Sequence, residues 1–206
     1  LSSSTVHRHV RGIVGLLAAV LIFVWAPIAH AGATTVTLDP TATKITFTLG
    51  ATMHTVHGTF KLKSGKIEFD PSTGKASGAI VIDATSGDTD NSSRDKKMHQ
   101  EILESAKFPE IIFVPAEVKG SVAPQVASQV EVSGMIRLHG QDNPITLTIS
   151  VQSGPPGHLT AATKFQVPYV KWGLKNPSTF VLHVTDTVDV DVQAVGQLVS
   201  TPTPGR

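Results

Sequence analysis

Two histidines three residues apart, His54 and His57 in "ATMHTVHGTF" (51–60), are the first side chains whose type and spacing invite chemistry. Imidazoles bind metals and move protons. The surrounding residues alternate apolar and polar, as in a strand. There, positions i and i+3 face opposite sides, roughly 10 Å apart at ~3.3 Å per residue. One metal cannot take both, and the zinc spacing H-E-x-x-H needs a helix. His57 shares parity with Thr59 and Lys61, which places it outside. His54 shares parity with Val56 and Phe60, which places it at the rim of an interior, as a ligand contact or as plain structure. A second pair, Asp95 and His99, has helical i, i+4 spacing. It is either a polar pair aimed at a ligand headgroup or a helix cap with an imidazole packed over it. "DTDNSS" (88–93) opens like a calcium loop, but Ser93 and His99 stand where that loop needs Gly and Glu. "KSGKI" lacks the rest of a phosphate-binding loop, and no G-x-S-x-G elbow is present. Nothing points to an enzyme, and no metal or cofactor is expected.

The elements that must position these residues follow from composition and periodicity. The chain has 206 residues, a net charge of +1 and no cysteine. Disulfides, thiolate metal sites and a cysteine nucleophile are excluded, and the charge gives no case for nucleic acid. Residues 1–31 begin basic (Arg8, Arg11), run apolar from Ile13 to Trp25 and end in "APIAHA". That is the pattern of a secretory signal peptide, with cleavage expected after Ala31. Its loss removes two Arg and no acid, taking the net charge from +1 to −1. The remainder is then expected in the periplasm or outside the cell, and not spanning the membrane.

Residues 32–35 read as a short leader, and after them period-2 alternation recurs. "KITFTLG" puts Ile45, Phe47 and Leu49 on one face. "VHGTFKLKSG" puts Val56, Phe60 and Leu62 opposite His57, Thr59, Lys61 and Lys63. Turn signals on both sides of Ile67 and Phe69 suggest a short strand there. Further runs are "AIVIDA", "EIIFVPAEV", "QVEVSGMIRLHG", "PITLTISVQ", "LTAATKFQV" and "STFVLHVTDTVDVDVQAVG", punctuated at Gly140–Pro144 and Gly154–Gly157. The tail 198–206 is expected to be disordered. Short strands with one apolar and one polar face predict a mainly β chain, an antiparallel β-barrel of about eight strands with an apolar inside. "SSRDKKMHQEILESAKFP" breaks the pattern. It predicts one amphipathic helix inserted between strands, with a Ser92/Asp95 capping box and an apolar stripe of Met98, Ile102, Leu103 and Ala106 over an end of the barrel.

The order of motifs resembles the YceI-like domain family. The matching residues are Phe47, Val56, Gly58 and Phe60; Gly65, Ile67, Phe69, Asp70 and Pro71; Asp88, Thr89, Arg94, Asp95 and His99; "FPEIIF" at 108–113; and "SGMIRLHGQDNPITL" at 133–147. The likeness covers 34–197. It departs in carrying His54 later than the family's usual His, and in "VPYVKWGLKNPSTF" where the family has a polar-Phe-Gly turn. The resemblance implies a lipocalin-like barrel of the bacterial envelope that holds a polyisoprenoid or similar amphiphilic lipid inside. Candidate ligand contacts are Phe47, Leu49, His54, Phe60, Phe69, Ile82, Phe113, Leu138, Leu147, Phe165, Trp172 and Phe180, with Asp95, Met98, His99 and Ile102 on the helix. Each is equally a candidate for plain core packing or capping, and a one-residue register slip would turn a whole strand's set outward. An outer-membrane barrel would need aromatic girdles, but aromatics are only 5% of the chain. A filled barrel with no ligand, acting in stress or interaction, uses the same apolar residues. Assembly as a homodimer is left open. Amino-terminal sequencing of the protein exported by an envelope host is expected to read Gly32-Ala33-Thr34. A sequence starting upstream of Gly32 would remove the expected cleavage site.

Overall fold

The alternation noted above becomes a ring of hydrogen-bonded strands in the computed structural model, which describes residues 32–52, 54–123 and 125–201. The expected signal peptide and the last five residues lie outside the described residues. The strands are β1 (Thr34–Leu38), β2 (Lys44–Gly50), β3 (Thr55–Phe69), β4 (Ala76–Asp88), β5 (Glu110–Lys119), β6 (Ala127–Leu138), β7 (Gln141–Gly154), β8 (His158–Val167) and β9 (Val188–Ser200). All pairings between named strands are antiparallel. The order β3-β2-β9-β8-β7-β6-β5-β4 closes through the β3–β4 ladder, giving an eight-stranded barrel. β1 is an extra strand. It bridges β3 and β9 beyond the start of β2, with Thr34 opposite both Phe69 and Ser200. β9 therefore runs past the expected boundary at 197, because its last residues are paired to β1.

Inward and outward parity is as the alternation requires. Ile45, Phe47, Val56 and Leu62 are buried, while His57, Thr59, Lys61 and Lys63 are exposed on the outer face. Ion pairs such as Lys63–Glu110 at 2.6 Å and Lys164–Asp191 at 2.8 Å lie on that wet face, where such pairs contribute little. No helix among the described residues is long and apolar enough to cross a membrane.

Two turn expectations and one strand expectation change. Ser64-Gly65 is not a turn: β3 continues through it with a register shift between Leu62 and Ser64, and the hairpin lies at Asp70–Gly74. An extra residue at a β-bulge restores Ile67 and Phe69 to the inner face without breaking the strand. The 140–144 turn shrinks to His139-Gly140, whose φ angles of 52° and 76° make a two-residue hairpin between Leu138 and Gln141. The run from Ser178 is not a strand until Val188, and residues 168–187 form a long connection.

The inserted helix α1 spans Ser92–Lys97 and continues as a π-helical turn, Met98–Ile102. It ends well before Pro109. The expected capping box is replaced by Asn91, whose side chain accepts from the Arg94 backbone N–H at 3.0 Å. The turn after it is tied to the β6–β7 hairpin by Glu104 and His139, with Oε2 and Nε2 2.5 Å apart, and Phe108 packs on the His139 ring. That contact holds the Glu104 carboxyl below its ordinary range.

Gly78, in β4, has φ +103°, and a Cβ there would overlap the Lys66 carbonyl on β3. Gly78→Ala is expected to destabilise the barrel by about 2–4 kcal/mol in urea unfolding, since both backbone conformation and strand spacing oppose the side chain. A loss below about 0.5 kcal/mol would show that the β3–β4 seam yields.

Candidate ligand cavity

Antiparallel alternation sends every second side chain of eight strands to the barrel axis, and the inserted helix and the 168–187 connection lie at one end of it. Between them is a cavity of about 420 Å³, within the ~300–1,000 Å³ of small-molecule sites. A second cavity of about 180 Å³ lies beneath it. Ile45, Ile82, Ile111, Ile136 and Phe165 line both, so the space runs along the axis. The barrel is hollow rather than filled.

Ten of the sequence-derived candidates line the upper cavity: Phe47, Leu49, His54, Phe60, Ile82, Met98, Ile102, Leu138, Phe165 and Trp172. Phe69, Phe113 and Leu147 line the lower one. Phe47 and Phe60 pack together with ring centroids 5.3 Å apart. His54 is exposed at the mouth, just before β3, whereas His57 is outside and within 3.1 Å of the Thr48 hydroxyl.

Three candidates are not brought to the cavity. Asp95 faces the strand end: its Oδ1 accepts from the Thr89 backbone N–H at 3.0 Å and from the Thr89 hydroxyl at 2.5 Å. His99 is engaged on both ring nitrogens. Its Nε2 donates to the Gly87 carbonyl at 2.8 Å, which leaves Nδ1 to accept from the Ser105 hydroxyl at 3.0 Å. This pair tacks the helix to the end of β4; Asp95 does not cap the helix as the alternative reading expected, because Asn91 holds that position. Phe180 is fully exposed, because the segment that carries it is a turn and not a strand. Ala106 is also exposed, beyond the helix end.

Other lining residues escaped the periodicity. Tyr169, Leu174, Leu182 and Val184 belong to the 168–187 connection, where alternation has no meaning. Lys97, outside the expected apolar stripe, lines the mouth, as does Arg94. The π-helical turn that follows departs from the 3.6-residue period on which the expected stripe rests. Arg94 is fixed by Thr89: Nε donates to its hydroxyl at 2.8 Å and Nη2 to its carbonyl at 2.7 Å. The polar lining is thus His54, Thr89, Arg94 and Lys97, with no carboxylate. Tyr169 adds a hydroxyl, which donates to the Thr185 carbonyl at 2.7 Å. Among the described residues, no group of three or more acidic or imidazole side chains is placed to hold a metal ion. The arrangement offers an apolar axial space with a cationic rim.

Residues 36–196 match the model of the YceI-like domain. A UPF0312 protein of Enterobacter sp. (strain 638) is 33% identical over 96 residues, covering 45% of this chain and 46% of the relative. A UPF0312 protein of Pseudomonas savastanoi pv. phaseolicola is 36% identical over 94 residues, covering 45% and 47%. The chain spans about half the length of the curated relatives it matches. Among solved structures, a polyisoprenoid binding domain from Saccharophagus degradans, implicated in plant cell wall breakdown, superposes with a TM-score of 0.61 at 18% identity, covering 81% of this chain and 98% of that one. BcnA of Burkholderia cenocepacia gives 0.61 at 16% identity, covering 77% and 98%. At these identities the structures show a shared fold.

Burial raises the Tyr169 pKa to about 12, with Asp186 adding to the shift. Tyr169 is the chain's single tyrosine, so tyrosinate absorbance reads it directly. A midpoint near 12 is expected, against about 10 for the urea-unfolded chain. In the folded state the phenol keeps its proton longer than in the unfolded state, so stability is expected to fall as pH rises between those two values. A folded-state midpoint at the unfolded value would show that Tyr169 is in water.

Proposed function

The chain belongs to the YceI-like family, and we propose that it is a non-catalytic lipid-binding protein that holds a polyisoprenoid or similar long-chain amphiphile inside the barrel, outside the cytoplasm. The observation that carries this reading is the axial cavity of about 420 Å³, apolar along its length and ringed at the mouth by Arg94, Lys97 and His54. An apolar chain gains about 0.8 kcal/mol per buried methylene, so roughly fifteen such groups offset an association cost of about 4 kcal/mol and leave micromolar binding. A polar or anionic headgroup would stay at the mouth, beside Arg94 and Lys97, with no carboxylate in the lining to repel it. The polyisoprenoid binding domain of Saccharophagus degradans has the same fold, which supports this ligand class. The hollow interior speaks against a filled barrel. The signal-like residues 1–31 support export to the periplasm or the medium.

Organic extracts of protein from an envelope host are expected to contain a stoichiometric prenyl lipid by mass spectrometry. Ala51→Trp, which fills the mouth from a half-buried lining position, is expected to cut polyprenol uptake at least ~tenfold, by taking the volume the chain needs. His57→Ala, on the outer face, should leave uptake unchanged. A lipid-free extract from the parent protein, with no uptake of added polyprenols, would overturn the proposal.

A further inference from the structure

The 168–187 connection has two sides. Its inner side gives the cavity Tyr169, Trp172, Leu174, Leu182 and Val184. Its tip holds Phe180 and Val181 in solvent, 100% and 79% exposed. Scattered exposed apolar residues need no explanation, but this pair is adjacent, rises from the wall of an apolar cavity and sits on a built turn. The Thr179 backbone N–H donates to the Leu182 carbonyl at 2.8 Å, and the Leu182 N–H donates to the Thr179 hydroxyl at 3.1 Å. Below the turn, the Val184 N–H donates to the Ser178 hydroxyl at 2.8 Å, and the Asn176 amide donates to the Val184 carbonyl at 3.1 Å. A reciprocal pair joins the base to the opposite rim: the Thr52 N–H donates to the His183 carbonyl and the His183 N–H to the Thr52 hydroxyl, at 2.9 and 3.0 Å. With the backbone satisfied locally on both sides, the two apolar side chains are held outward.

We propose that the Phe180–Val181 turn docks into the surface of a lipid bilayer and brings the cavity mouth against it, so that an apolar chain passes between bilayer and barrel without crossing water. The inference rests on the lipid-cavity reading. Three observations favour a lipid surface as the occupant. The exposed pair is continuous with an apolar, chain-sized cavity through Leu182 and Val184. The same connection carries exposed Lys171 and Lys175, and the facing rim carries Arg94 and Lys97, the cations that suit an anionic bilayer. Of the carboxylates at this end, Asp186 accepts from the Asn176 amide at 2.7 Å and Glu104 is engaged by His139. Asp95 is engaged by Thr89 and Asp189 by the Gln166 amide, while Asp88, Asp90 and Glu101 are exposed where β4 passes into the helix and along it. An aromatic ring flanked by lysines is the composition of interfacial anchors.

The chain has no cysteine, so Val181→Cys accepts a polarity-sensitive fluorophore at one place. Thr73→Cys, in the hairpin at the far end of the barrel, is the control. With the exported protein and vesicles rich in phosphatidylglycerol, the label at 181 is expected to brighten and shift to the blue, and the label at 73 to stay unchanged. The double variant Phe180→Ser/Val181→Ser is expected to take polyprenol from those vesicles at least ~tenfold more slowly, while taking it from detergent micelles as the parent does. Unchanged micelle uptake also shows that the variant folds. A label at 181 that no vesicle affects, or equal transfer by parent and variant, would overturn the docking and leave the turn to a protein partner. A responding label in a protein that takes no polyprenol from micelles would retain the docking and refute the cavity reading instead.

Discussion

Everything in this molecule depends on the sheet closing into a ring. Eight strands make a barrel only if the last, β9, pairs with the first, β2, as it does from Lys44/Gln193 to Thr48/Asp189, and the most irregular ladder in the ring, β3–β4, carries register shifts at Thr59/Lys61 and Leu62/Ser64. The irregularity is what lets long, twisted strands bend round the axis. Gly65 and Gly78 lie in this ladder and are crowded by neighbours: a Cβ on Gly65 would press on the Leu38 side chain, and one on Gly78 on the Lys66 carbonyl. Once the ring is closed, alternation leaves apolar side chains no direction but inward, and the interior follows.

Closure gives a tube, and the ends decide what the tube can do. At the far end β1 crosses between β3 and β9. At the near end a short helix is fastened by polar side chains that looked, by type, like chemistry. Thr89, Arg94 and Asp95 satisfy one another, and His99 satisfies Gly87 and Ser105. Thr89, Asp95 and His99, with their polar atoms engaged in this way, fix a geometry and have little left to offer a ligand, while Arg94 keeps its charge at the mouth. They hold Met98 and Ile102 over the cavity and turn Lys97 toward its mouth.

Strand parity made most of the wall legible in advance. Phe47, Phe60, Leu138 and Phe165 could be placed inside because a strand offers only two directions. The errors gather where that binary choice is absent. Phe180 had the right parity for a strand, but Asn176, Ser178 and Thr179 offer the backbone local partners, and a turn results. Lys97 lines the mouth from outside the expected stripe because the helix loosens into a π turn directly after it. Tyr169 and Leu174 reach the cavity through a connection whose course no periodicity describes.

By itself, then, the sequence determined the class of the molecule: a mainly β chain without cysteine chemistry, alternating strands with apolar faces, one helical interruption, and a motif order that resembles one family. These are local or additive properties, and they survive being read one segment at a time. The tertiary structure alone decided whether the interior is filled or hollow, which polar residues fasten and which face the cavity, and where the exposed Phe180 stands relative to the mouth. Those depend on distances between residues far apart in the chain, such as Thr52 and His183 or Glu104 and His139. The physical reason is that side-chain volumes fill a space whose size is set by the closed ring, and no single strand contains that number.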